Sequence, residues 1–447
     1  MAKKSKSVAG RVGPERPSSH AAADQMADDL ISKLPDEILL IILSRMPSAD
    51  AARTTSLSHR WQRLWAFVAV LDFGSAEDAL DIQCRLNSKF DRSFRYWVNR
   101  VLDSHMGHSV DRLRICLEAE EIGSSTDVAR WIRFAVEKSV RELDLVIVRP
   151  TFSAACTPLF PILEFPNINS LNSLSLEHRN LTEEHVNYFL SHCPSLETLS
   201  LRKSSSLWNL LISGSSLKLK HLEISYCSQL KTLEISADNL VSFKYCGPKF
   251  NLSLCNAPSL VEVSFLESYC LHLAENRFCE YSTVLPQIQR LSLTLNYHWL
   301  TQFPEVHPLT TLNTLELNLK VWDSVSCFVL FTSMMERLSF LHKFSINLFW
   351  APRDVHERKQ VKLVTEQRHH YLKVVELVGF VRCSIDTAIM RYLVKNAVSL
   401  KKITIVPCQR AWVDSLDVMT DMERQTARDW AHRFAATLPP LTNLVVL

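Results

Sequence analysis

A short pattern of hydrophobic positions, Leu-x-x-Leu-x-Leu or its Ile, Val and Phe equivalents, recurs along most of the chain. Its last three positions alternate apolar and polar residues, which predicts a β-strand with one buried face. Between the copies, apolar residues recur at helical spacing, as in the segment that follows Thr182, a residue suited to cap a helix. Helix and strand in alternation predict a parallel sheet backed by helices.

From Leu171 onward the copies begin roughly 20 to 31 residues apart, with shorter steps at two half-copies between Leu219 and Leu260, which is near the period of leucine-rich repeats. No single repeat buries its own apolar face, so the pattern predicts a stack of neighbouring repeats over 110–447. Weaker copies begin at Val110 and Val140, and half-copies begin at Leu230 and Leu240. The stronger copies begin at Leu171, Leu196, Leu219, Leu260, Ile288, Leu312, Leu341, Leu372 and Leu400.

A different pattern occupies residues 34–65, where three short helices are predicted. Asp36 and Glu37 suit the first turn of the first helix, and six consecutive apolar residues follow at 38–43. A surface helix needs only one apolar stripe, so this run leaves a surplus. Ser48 is suited to cap the second helix. Either the surplus apolar surface faces a partner protein, or the rest of the chain covers it.

Three short motifs follow one another along this segment. They are Leu-Pro-x-Glu at 34–37, Ile-Leu-Ser at 42–44 and Ser-x-x-Trp-x-x-Leu-Trp at 58–65. In this order they resemble the F-box, the module by which substrate receptors dock onto the Skp adaptor of Skp–cullin–F-box (SCF) ubiquitin ligases. The resemblance implies an F-box at 28–75. The adaptor-binding candidates are Leu34, Pro35, Ile38, Ile42, Leu43, Leu57, Trp61 and Leu64.

The C-terminal third has the order strand, Gly379-Phe380, helix ending in Asn396-Ala397, strand. This stretch resembles the leucine-rich and FBD-like regions of plant F-box proteins, and a last helix over 424–438 is predicted to cap the sheet. The expected fold is therefore α/β, an N-terminal three-helix F-box followed by an irregular leucine-rich-repeat solenoid with a parallel sheet. The resemblance implies a non-catalytic SCF subunit that binds the Skp adaptor, through it the cullin, and an unknown target protein.

The polar residue between the last two apolar positions of each predicted strand points away from the helices. In a curved solenoid such residues line the concave side, where partners usually bind. The row is small, polar and mildly acidic, which favours a protein partner, one with a basic stretch, over nucleic acid. The target-binding candidates are Ser200, Glu223, Ser264, Glu316 and Glu376.

Composition and motifs argue against nucleic-acid binding, catalysis and metal binding. The 50 Lys and Arg residues nearly balance the 47 Asp and Glu residues, so no large basic field for nucleic acid is expected. No glycine-rich phosphate loop, nucleophile elbow or metalloprotease motif occurs. The cysteines form no C-x-x-C pair, and Cys193, Cys227 and Cys327 are predicted to be core residues. His369-His370 is predicted to be a surface turn, and no enzyme activity, cofactor or metal is expected.

The remaining segments are expected to carry little structure of their own. Residues 1–27 are predicted to be a disordered tail, and 76–109 a helical linker. No secretory or membrane-spanning stretch is apparent, which predicts a protein of the nucleus, the cytoplasm or both, without membrane contact. Two alternatives stay open: a leucine-rich scaffold that binds the adaptor without target degradation, and an enzyme or nucleic-acid binder that uses the solenoid.

Overall fold

A computed structural model of the protein describes most of the chain. The described residues are 30–31, 33–74, 88–118, 124–148, 167–214, 216–266, 269–270, 287–296, 311–321, 324–338, 340–350, 367–408, 410–411, 419–439 and 441–447. The predicted tail at 1–27 and the part of the predicted linker before residue 88 lie outside them.

Three helices form the N-terminal module: α1 (Asp36–Ser44), α2 (Ser48–Arg53) and α3 (His59–Trp65). Helix α1 begins directly after Pro35 and carries two acidic residues in its first turn, where they favour the helix dipole. Arg60 of α3 donates hydrogen bonds to Asp36 Oδ1 at 2.8 Å and to the Leu34 carbonyl at 2.6 Å, which holds the start of α1 on α3. The core of the module consists of Leu39, Leu43, Ala51, Trp61, Leu64 and Val68.

The capping role predicted for Ser48 is wrong. Helix α2 has no side-chain cap, and the buried Ser48 hydroxyl instead accepts a hydrogen bond of 2.7 Å from the backbone N–H of Asp72. Asp72 lies in β1 (Val70–Phe73), and Trp65 packs against the core of the module and the core of the sheet. The module is therefore joined directly to the first strand of the sheet.

The main sheet contains 15 strands within the described residues, and all its pairings are parallel. Its order is β1, β2 (Arg112–Glu118), β3 (Glu142–Val148), β4 (Ser173–His178), β5 (Thr198–Arg202), β7 (His221–Ser225), β9 (Ser242–Cys246), β11 (Glu262–Leu266), β12 (Arg290–Asn296), β13 (Thr314–Val321), β14 (Lys343–Trp350), β15 (Val374–Val378), β16 (Lys402–Val406) and β18 (Asn443–Val446), with β17 (Arg410–Ala411) beside β14. The predicted parallel-sheet solenoid is confirmed. The first strand of the sheet, β1, lies inside the predicted F-box range of 28–75. The domain boundaries stay a prediction.

Helices back this sheet where the repeats are long enough to contain them. They are α4 (Ser88–Ser104), α5 (Ser124–Glu137), α6 (Glu183–His192), α7 (Ser324–Arg337), α8 (Ser384–Asn396) and α9 (Asp421–Arg433). Thr182 is the N-cap of α6, as predicted. One continuous core runs through all the repeats, because the apolar positions of each copy pack against those of its neighbours.

A second sheet replaces helices in the middle of the chain. Its strands are β6 (Asn209–Ser213), β8 (Thr232–Ser236) and β10 (Asn251–Asn256), in the order β10-β8-β6. The half-copy at Leu230 forms β8, whereas the half-copy at Leu240 forms β9 of the main sheet. The apolar pattern predicts a strand in both cases but does not indicate which sheet the strand joins.

His369 lies in the core and not in the predicted surface turn. Its side chain is buried, and Nε2 forms a hydrogen bond of 2.8 Å with the Tyr392 hydroxyl. Burial, followed by the neighbouring His370, lowers the pKa of His369 to about 4. The prediction failed because the His369 N–H donates to the carbonyl of Asn396 at 2.8 Å, which draws this segment beneath α8, while His370 stays exposed.

Candidate protein-binding sites

Helix α1 carries apolar residues on two different sides. Leu39 and Leu43 are fully buried in the module core. Ile38, Ile41 and Ile42, which follow the i, i+3, i+4 spacing of one helix face, are 42%, 52% and 38% exposed. We call these three residues the isoleucine face. The described part of the chain does not cover it, so among those residues the surplus apolar surface predicted for this segment stays exposed to solvent.

The eight adaptor-binding candidates fall into two groups. Leu43, Trp61 and Leu64 are buried and shape the module core. The others reach the surface in full or in part: Leu34, Pro35, Ile38, Ile42 and Leu57. Of these, Leu57 just before α3 is 66% exposed. Adaptor binding by any of these residues stays a prediction. The surface group has the exposed side-chain area that an adaptor would contact.

Sequence reasoning missed Ile41, the most exposed member of the isoleucine face. The signal was present, because an uninterrupted apolar run at 38–43 must place some residues opposite the buried Leu39 and Leu43. Leu30 and Ile31 were also missed, and both are exposed shortly before α1. Both residues add exposed apolar area to the segment just before α1.

The second candidate surface is the face of the main sheet that points away from the core. One polar position per strand lies in register across the sheet, and we call these residues the central row. It contains Asp72, Arg114, Asp144, Ser175, Ser200, Glu223, Lys244, Ser264, Ser292, Glu316, Ser345, Glu376 and Thr404. All five target-binding candidates lie in this row, although Ser200 is buried.

Two of the predicted glutamates are ion-paired. Lys244 Nζ lies 3.1 Å from Glu223 Oε1, and Lys343 Nζ lies 2.9 Å from Glu376 Oε2. Burial acts to raise the pKa of Glu223, but the hydrogen bond and charge of Lys244 outweigh it and lower that pKa. The acidic character predicted for the row is therefore compensated by lysines that the sequence analysis did not include.

The row begins with a network of alternating charges that the sequence analysis also missed. Arg114 Nε lies 3.2 Å from Asp144 and its Nη1 lies 3.9 Å from Asp72. Arg202 Nη2 lies 3.8 Å from Asp144 and donates to the Ser175 hydroxyl at 2.5 Å. Asp72, Arg114 and Asp144 come from strands where the repeat pattern is weak or absent, so their register was not evident. The two arginines balance the two aspartates in charge, which favours a structural role.

The described residues give the placement of possible metal ligands and of the predicted core cysteines. No group of three or more His, Cys, Asp or Glu side chains there is arranged to hold a metal ion. The predicted core cysteines are buried, and burial raises the pKa of Cys193 to about 12, which keeps its thiol protonated at neutral pH. Among the helices of the described ranges, none combines the length and the apolar character that crossing a membrane requires.

Comparison with known proteins gives two domain matches. Residues 31–70 match the F-box domain, and residues 152–429 match the family described as At1g61320/AtMIF1, LRR domain. The first match contains the isoleucine face. The second contains the central row from Ser175 to Thr404.

Similar proteins come from Arabidopsis thaliana. F-box/LRR-repeat protein At3g03360 is 31% identical over 47% of this chain and 43% of its own length, so the match spans less than half of that relative. F-box/LRR-repeat protein At3g58900 is 31% identical over 49% of this chain and 73% of its own length. F-box/FBD/LRR-repeat protein At5g53840 is 24% identical over 85% and 88%. With more than half of its residues matching the repeat domain, the chain belongs to the family of plant F-box/leucine-rich-repeat proteins.

Proposed function

We propose that the protein is the substrate-recognition subunit of an SCF-type ubiquitin ligase. The observation that carries the proposal is the isoleucine face, an apolar surface on an F-box domain that the described residues leave exposed. Apolar side chains of this kind form the buried centre of protein interfaces. The F-box domain implies a Skp-type adaptor as the partner, and the adaptor would connect the chain to the cullin.

The adaptor contact would use the surface group of candidates around the isoleucine face. Ile38, Ile41 and Ile42 would enter the interface, with Pro35 and Leu57 at its edges. Helix α1 is held in place by its packing on the module core and by the hydrogen bonds of Arg60. Because the face is part of a supported helix, docking costs little conformational entropy.

The solenoid would hold the target protein on the face of the main sheet that carries the central row. The chain would supply no reactive side chain, since fixing the target near a ubiquitin-conjugating enzyme raises their effective concentration. The hydrogen bond between Ser48 and Asp72 and the shared packing of Trp65 support this role. They couple the F-box to the solenoid, so the target would occupy a fixed position relative to the adaptor. Such a subunit would act in the nucleus, the cytoplasm or both.

Affinity purification of the full chain tests the proposal. A tagged chain, expressed in plant cells under proteasome inhibition, is expected to bring down both a Skp-type adaptor and a cullin, together with ubiquitinated target proteins identified by mass spectrometry. Recovery of the adaptor without cullin or ubiquitinated proteins would instead support the scaffold alternative. Recovery of neither adaptor nor cullin would contradict adaptor docking itself.

A further inference from the structure

A continuous row of residues crosses the main sheet at the N-terminal ends of its strands. From Arg141 onward, each residue donates its backbone N–H to the carbonyl of the preceding member, at distances from 2.8 to 3.2 Å. Neighbouring strands lie about 4.8 Å apart, so neighbouring members are close. We call this the entry row: Asp111, Arg141, Asn172, Glu197, Lys220, Val241, Val261, Gln289, Asn313, His342, Lys373 and Lys401.

Charged neighbours in the first part of the entry row have opposite signs. Arg141 lies 3.4 Å from Asp111, and Lys220 lies 2.8 Å from Glu197. The residue directly after the entry row on each strand repeats this arrangement of opposite charges, in the pairs Arg112–Glu142 and Arg290–Glu262. Exposed opposite charges on adjacent strands are mildly stabilising, and this edge of the sheet is close to neutral.

The arrangement changes at the last strands. Lys373 and Lys401 are consecutive members of the row, joined by a 2.8 Å backbone hydrogen bond, and Lys402 follows at the start of β16. All three side chains are exposed, and no ion pair within the described part of the chain involves them. Like charges side by side on neighbouring strands destabilise a sheet. Among the residues that the structure describes, nothing compensates these three lysines, so sheet stability does not explain their position.

Exposed aromatic side chains occur in the segments that lead into β14 and β15, near the start of the strands. Phe340 and Tyr371 are 41% and 47% exposed, and their ring centroids are 5.6 Å apart. His342 lies 5.9 Å from Tyr371. Phe340 and Tyr371 each precede an entry-row residue, His342 and Lys373, by two positions, so the rings and the lysines lie at the same end of the strands. We call this surface the basic–aromatic rim, formed by Phe340, His342, Tyr371, Lys373, Lys401 and Lys402.

We propose that the basic–aromatic rim binds an acidic segment of a protein partner. Carboxylates of the segment would pair with the three lysines, and an apolar side chain would pack on Phe340 and Tyr371. This inference rests on the proposed role of the solenoid in holding a target. Exposed aromatic residues are enriched in protein interfaces, and complementary charge sets orientation and association rate.

The size of the rim favours a peptide over nucleic acid. Nucleic-acid binding commonly neutralises a series of phosphates with a long basic surface. Here the positive charges are confined to the last strands. The preceding members of the entry row, Gln289 and Asn313, are uncharged, and the charges before them are paired.

A peptide-binding titration tests the proposal on the full chain. The probe is a short fluorescein-labelled peptide rich in glutamate with one central leucine, and its uncharged counterpart contains glutamine in place of glutamate. The acidic peptide is expected to bind the wild-type chain at low salt and to bind the Lys373→Gln/Lys401→Gln/Lys402→Gln variant about tenfold more weakly, because three charge contacts are lost. The glutamine peptide is expected not to bind.

The matched control is the variant Arg112→Gln/Arg141→Gln/Lys220→Gln. It removes the same number of positive charges from the same edge of the sheet, but from existing ion pairs, and should bind the acidic peptide within about twofold of wild type. Equal loss in the two variants, or no binding of the acidic peptide to wild type, would overturn the proposal.

A single-stranded DNA oligonucleotide is titrated alongside the peptide. Tighter binding of the DNA than of the acidic peptide, abolished in the lysine variant, would assign the rim to nucleic acid and also overturn the proposal. No adaptor is present in the assay, so failure here is distinguishable from failure of the F-box to dock. Circular dichroism confirms that each variant is folded.

Discussion

Replacing Ile38 and Ile42 with alanine is expected to weaken binding of the Skp-type adaptor by at least about 100-fold. Each side chain is partly exposed in the free chain, and its burial in an interface would contribute about 1.5 kcal/mol or more. Two such losses total about 3 kcal/mol, and every 1.4 kcal/mol is a factor of ten in affinity. Alanine is a strong helix former, so α1 itself should remain intact.

The dissociation constant is measured by titrating the purified chain into a labelled Skp-type adaptor. The matched control is Leu211→Ala/Val329→Ala, which removes two exposed aliphatic side chains from the solenoid. The control should bind the adaptor as wild type does. If the Ile38/Ile42 variant also binds within about threefold of wild type, these residues are not interface hot spots.

Replacing Gly379 with alanine is expected to destabilise the C-terminal repeats by about 4 kcal/mol, at the upper end of point-mutation effects. Gly379 has a φ of +88°, which side chains rarely tolerate, and an added Cβ would lie 2.2 Å from the Leu348 carbonyl oxygen. That oxygen belongs to the backbone of β14 and cannot move aside without breaking the sheet. The neighbouring Trp350 indole also donates a 2.8 Å hydrogen bond to the Gly379 carbonyl.

Urea unfolding followed by circular dichroism and tryptophan fluorescence measures this loss. Gly214→Ala is the control, because its added Cβ would meet only the side chain of Leu217, at 3.0 Å. The control is expected to cost clearly less, since a side chain can change rotamer where a backbone carbonyl cannot. An unfolding free energy for Gly379→Ala within about 1 kcal/mol of wild type would contradict the geometry described for this turn.

The local pattern of apolar residues was sufficient to predict most of the strands. Leu174 and Leu176, for example, are both buried in β4, as their alternation requires. The local pattern did not predict which sheet a strand joins or which distant residue a side chain contacts. The copy at Leu230 joined the second sheet because its short repeat contains a strand where longer repeats contain a helix. Ser48 was predicted to cap its own helix, but its hydroxyl accepts a hydrogen bond from Asp72 in β1. That partner is distant in the sequence, so the local pattern does not indicate it.

The candidate sites show the same division. The F-box motifs located the adaptor-binding module, but motif order does not separate the buried Trp61 from the exposed Ile42. The helix spacing of Ile38, Ile41 and Ile42 does so once Leu39 is known to face the core. The charge pattern along the edge of the sheet depends on the register between separate repeats. Lys373 and Lys401 become neighbours only when their strands pair.

Hydrogen–deuterium exchange of the full chain, with and without a Skp-type adaptor, tests the central claim most directly. Slower exchange is expected in α1 and in the segment just before it, because docking would bury the isoleucine face and suppress local opening of that helix. Strands of the solenoid should exchange as in the free chain. Unchanged exchange in α1 in the presence of saturating adaptor, or protection confined to the solenoid, would contradict the account.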